Sequence, residues 1–147
     1  MNLKENLKAN GELTITVFDK EGNLRSATKV PNLVVTTGKN YIASRMAGTS
    51  STVMSHMAIG TGTGTPAAGD TALGTEAGRV ALSTFTASTN TVTATATFPA
   101  GTGTGAITEA GILNNSSGGT MLCRTTFPVV NKAAGDSIAI TWVVTVS

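Results

Sequence analysis

Thr91-Val92-Thr93-Ala94-Thr95-Ala96-Thr97-Phe98 places threonine at every odd position and an apolar residue at every even one. Successive side chains on a strand turn to opposite faces. The stretch therefore predicts a strand with Val92, Ala94, Ala96 and Phe98 toward a core and a row of hydroxyls on the outside. Residues 137–146 repeat the pattern, with Ile138, Ile140, Trp142, Val144 and Val146 on one face. Full burial of a Trp or Ile side chain contributes roughly 2–3 kcal/mol. This last strand is the expected anchor of the core.

Between and before these two stretches, further strands are expected at about 53–59, 79–85, 106–113 and 121–127, separated by turn-rich segments such as Ser88-Thr89-Asn90. Residues 13–18 and 24–30 read as a hairpin around Asp19-Lys20-Glu21-Gly22-Asn23, ended by Pro31, with 33–35 continuing extended. One helix is expected near 37–47. Thr36 or Thr37 would cap it, Tyr41, Ile42 and Met46 would form its apolar stripe, and Gly48 would stop it. Thr49-Ser50-Ser51-Thr52 and the stretch from Gly60 to Asp70 read as loops, and residues 1–10 as a polar arm. The expected fold is all-β, a mainly antiparallel sandwich or jelly-roll-like body with one short helix. Its expected organisation is an arm and hairpin over 1–30 and a sandwich domain over 31–147.

The chain has 147 residues, which suits one domain with a small appendage. Apolar residues make up 40% but are rich in Ala, and aromatics only 4%, so burial per residue is modest and oligomerisation is an expected support. Net charge is +2 with 12% charged residues, and no basic stripe marks a nucleic-acid partner. The charge is uneven. Residues 1–48 hold seven Lys/Arg against four Asp/Glu, and residues 49–147 hold three against four. Either the N-terminal cations solvate a hairpin and a helix, or they meet an acidic partner. In the second case the partner-binding set is Lys4, Lys8, Arg25, Lys29, Lys39 and Arg45. Charges at Lys4, Glu5 and Lys8 argue against a signal peptide, and no apolar run has the length of a membrane span.

Catalytic and metal signatures are thin. His56 and Cys123 are each the only residue of their type, so a metal cluster, an internal disulfide and a nucleophilic triad all lack parts. Cys123 reads as a small core residue and His56 as a strand residue. Gly60-Thr61-Gly62-Thr63-Gly64 lacks the Lys of a phosphate-binding loop. Glu76, Glu109 and Asp136 could act as paired acid and base. The favoured role for Glu109 is instead an ion pair with Arg79 or Arg124 that pins strands or subunits. Asp70 or Asp136 alone is weak support for calcium. No enzyme activity and no cofactor are expected.

Asn32-Leu33-Val34-Val35-Thr36-Thr37-Gly38-Lys39-Asn40, the run from Ser55 to Glu76, Ile107-Thr108-Glu109-Ala110-Gly111-Ile112 and the ending from Arg124 to Trp142 together span much of residues 30–147. In these stretches the chain resembles small tailed-bacteriophage virion structural proteins. That resemblance implies a non-enzymatic protein located in the virion. The missing basic stripe adds the expectation of no nucleic-acid partner, and the N-terminal charges and lack of a membrane-length run add assembly in the host cytoplasm with no membrane partner. The leading expectation is a capsid decoration or cement protein on the outside of the head. It would be a homotrimer that staples the major capsid protein, gripping through residues 1–30. The alternative is a tail, baseplate or fibre component bound to other virion proteins. A carbohydrate-binding sandwich is a further alternative, disfavoured because Trp142 lies in a core-type strand rather than an exposed loop.

Overall fold

The computed structural model describes residues 3–49 and 52–147; Met1 and Asn2 of the expected arm, and Ser50 and Ser51 of the expected loop, lie outside them. The chain forms strands β1 (Ala9–Phe18), β2 (Leu24–Val34), β3 (His56–Gly60), β4 (Glu76–Ala81), β5 (Thr84–Ser88), β6 (Thr91–Phe98), β7 (Gly105–Leu113), β8 (Met121–Lys132) and β9 (Ser137–Val146). Among the described residues a single helix, α1 (Thr36–Met46), falls between β2 and β3. All pairings are antiparallel, in the order β4-β3-β7-β8-β2-β1-β9-β6-β5. The fold is all-β with one short helix, as the alternating pattern predicts.

The nine strands curl into two layers because two stretches of chain pass from one layer to the other. β2 pairs with β1 as far as Asn32, and then with β8 through Leu33 and Val34. Pro31 was expected to end this strand; instead it lies inside it, in register with Glu12, just before the strand changes partners. The second crossing corrects the single strand expected at 79–85. β4 pairs with β3 and β5 pairs with β6, and Leu82 and Ser83 join them. The Leu82 amide donates to the Ser55 carbonyl on one side at 2.8 Å, and the Ser83 amide to the Thr95 carbonyl on the other at 2.7 Å. The two ends of the strand order are thus consecutive in the chain.

The main core lies between the layers. Leu13, Ile15 and Val17 of β1, Ala94, Ala96 and Phe98 of β6, and Ile138, Ile140, Trp142 and Val144 of β9 face Met57, Ile59, Ile107, Ile112 and Phe127 of the other layer. The threonines of β6 point away from that core. In register across β5, β6, β9 and β1 they form the row Thr84–Thr95–Thr141–Thr14, with the Thr84 and Thr95 hydroxyls 2.6 Å apart. Cys123 is fully buried, as expected, and burial pushes its thiol pKa up.

A smaller cluster of Val35, Ala58, Leu73, Leu113 and Met121 forms a second core. Helix α1 sits close because Gly38 lies against the Leu122 backbone, where a Cβ would overlap the carbonyl. No side chain caps the helix: Val35 in extended backbone is its N-cap, and the Thr37 hydroxyl donates to the Met121 carbonyl instead, at 3.0 Å. The first helix amides lose their expected threonine because that hydroxyl docks the helix on β8. Tyr41 and Ile42 pack on the core, whereas Met46 of the expected stripe is exposed. The Gly48 amide bonds the Arg45 carbonyl and the Thr49 amide the Ser44 carbonyl, which stops the helix where the sequence predicts.

Candidate functional site

Residues 61–75 connect β3 to β4 without regular structure, a length that needs specific contacts to stay in one conformation. Glu109 on β7 supplies them. Its side chain is fully buried and accepts from five directions. Oε1 takes the amides of Gly62 at 2.9 Å and Thr75 at 2.7 Å; Oε2 takes the Gly74 amide at 2.8 Å and the Arg124 Nη2 and Nε at 2.8 and 3.2 Å. Arg124 on β8, 4% exposed, also donates Nη1 to Asp70 Oδ2 at 2.8 Å and Nη2 to the Gly64 carbonyl at 3.1 Å. Register explains the meeting. Arg124 lies opposite Gly111, two residues along the same face from Glu109. Gly62 is required because a Cβ there would overlap the Glu109 carboxylate.

Burial alone would raise the Glu109 carboxyl pKa. The Thr75 amide, the Arg124 guanidinium and the Gly74 and Gly62 amides outweigh burial and hold it below the usual carboxylate range. The Asp70 carboxyl is lowered too, first by the Ala67 amide and then, against some burial, by Arg124. Both folded pKa values lie below the unfolded ones, 4.5 and 3.8. Their contribution is therefore complete above the unfolded values and is lost as pH falls through the folded ones. Hydrogen exchange, corrected for intrinsic rates, is expected to show the Gly62, Gly74 and Thr75 amides losing protection as pH falls below the ordinary carboxylate range while β1 and β9 keep theirs. Uniform loss across all of these at one pH would mean that the loop has no separate clasp.

Other ionic groups seat other loops. Arg79 pairs with Glu76 at 2.6 Å and donates to the carbonyls of Asn115 and Gly118 at 2.8 and 2.9 Å. Buried Lys132 donates to the carbonyls of Pro99 and Asp136 at 2.9 and 2.7 Å. Burial lowers its pKa, with Asp136 opposing. Glu76, Glu109 and Asp136 therefore each hold a different cation and form no acid–base pair. The Glu109–Arg124 pair was legible in the sequence. The buried Lys132 was missed, although it lies two residues from Val130 and so shares its face.

The six expected partner-binding cations divide. Arg25 forms an ion pair with Asp136, and Lys29 lies 3.7 Å from Glu12. Lys4 is exposed on the segment before β1, and Arg45 is in the last turn of α1. Lys8 and Lys39, 31 positions apart in sequence, line one groove between the N-terminal segment and α1. Sequence reasoning missed the groove because its apolar walls, Leu7 and Met46, come from segments that only the fold brings together.

Residues 26–146 match a family model described as phage tail-collar fibre protein, N-terminal. The match begins inside β2 and takes in α1, the clasped loop and the remaining strands. No curated protein and no solved structure matches the chain.

Proposed function

We propose, on the premise that this chain belongs to the phage tail-collar fibre protein family and is a structural component of the virion, that it works in the tail or fibre apparatus rather than on the head. The observation that carries this reading is the family match over residues 26–146. The sequence favours head decoration as the first expectation, but no feature of the chain now supports that over the fibre reading.

The fold suits a passive part. Two layers close around the main core, ion pairs hold the long loops, and the outer face of one layer presents mostly neutral threonine rows that pack with little desolvation of charge. Trp142 is fully buried, so it offers no stacking platform for a sugar. Its role is to present surfaces to neighbouring virion proteins and, as a trimer, to copies of itself. Catalysis has no part in it.

Gold-labelled antibody on intact particles is expected to decorate the tail, with a copy number in the low tens and divisible by three. Label spread over the head at hundreds of copies would overturn the proposal.

A further inference from the structure

The N-terminal segment and α1 enclose a groove of about 480 Å³, walled by Leu7, Ile42, Ala43 and Met46 and closed by Val34 and Val146. Leu7 is 76% and Met46 84% exposed, an unusual cost for large apolar side chains on both walls of one concavity. Lys8 and Lys39 also line it, and no acidic residue does. Neither ammonium forms an ion pair among the described residues, whereas Lys20, Arg25, Lys29, Arg79 and Arg124 all do.

We propose that this groove is the docking site for a segment of a different virion protein that carries apolar side chains flanked by carboxylates. The inference rests on the virion assignment and specifies the contact. The apolar walls lose their exposed area to the inserted side chains, and the flanking carboxylates meet Lys8 and Lys39 at the rim. A second copy of this chain fits less well. Among the described residues its exposed large apolar side chains are Leu3, Leu7, Leu24, Met46, Val53, Phe85 and Val129. The nearest carboxylate to any of them in sequence, Glu5 between Leu3 and Leu7, shares that segment with Lys4 and Lys8, which the groove's own ammonium groups would repel. A lipid surface fits less well, because a concave site accepts a projecting side chain better than a flat interface.

The test places a photo-crosslinking amino acid at position 43 and irradiates assembled particles. The expected product joins residue 43 to a peptide of another virion protein in which Asp or Glu flanks apolar residues. Cross-links to a second copy, or none, would overturn the proposal. Lys8→Glu combined with Lys39→Glu is expected to cut incorporation at least about tenfold with an unchanged melting curve, and reversing the cross-linked carboxylates to Lys is expected to restore it. Undiminished incorporation would overturn it, as would binding of the purified protein to phosphatidylglycerol vesicles that the double variant abolishes. Head labelling with the expected cross-link would sink the tail placement alone; tail labelling without it would sink the groove alone.

Discussion

Glu109→Gln is expected to lower the unfolding free energy by about 3 kcal/mol, at the lower end of the range for breaking a buried ion pair. Glutamine keeps one oxygen for the loop amides, but its NH2 would point at a backbone N–H or at Arg124, and neither can accept. Arg124 would keep Asp70, which limits the damage. The loss corresponds to a fall in Tm of about 6–12 °C for a chain of this size. Urea unfolding reads it directly. Glu109→Leu with Arg124→Leu is expected to be less damaging than Glu109→Leu alone, because no charge is then left buried without a partner. A loss below about 1 kcal/mol in the single variant would show that the clasp contributes little beyond ordinary loop contacts.

Trp142→Ala should cost about 3–5 kcal/mol. Trp142 is fully buried, lies in register between Leu13 of β1 and Ala94 of β6, and belongs to the cluster that joins the two layers. Small neighbours such as Ala94 and Ala96 cannot move in to fill the cavity. The indole Nε1 has no hydrogen-bond partner among the described residues, so Trp142→Phe removes an unsatisfied donor along with volume and should cost clearly less. Trp142 is the only tryptophan, so its fluorescence follows unfolding of the wild type, and circular dichroism follows the variants. The two positions also differ in kind. Limited proteolysis should cut Glu109→Gln first within 61–75, whereas Trp142→Ala should become susceptible throughout. Cleavage confined to 61–75 in both would contradict the separation of core from clasp.

These positions show what the sequence discloses. Period-two alternation places Ala94, Ala96 and Phe98, and likewise Ile138, Ile140 and Trp142, because a half-buried strand must sort its side chains by face. The bend at Leu82-Ser83 left no mark. Neither residue is a breaker, and the chain turns there only because its two halves pair in different layers. Pro31 gave a mark that misled, since a proline is tolerated where a strand changes partners. Of the Glu109 site, the side-chain pair could be read from two strand segments carrying opposite charges. The amides of Gly62, Gly74 and Thr75 could not, because a backbone donor has no residue type to announce it. The groove was invisible for a similar reason: Leu7 and Met46 are 39 positions apart, and no local period relates them.

The chain's passage between layers at Leu82-Ser83 has a consequence for a protein made in many copies. The outermost strands, β4 and β5, are short, six and five residues, and they turn away from each other where they meet. A neighbour's strand laid alongside would find only a brief template before the direction changes. Runaway strand-by-strand polymerisation is thereby discouraged while the subunits wait for assembly, and contacts between finished molecules are left to their faces and grooves.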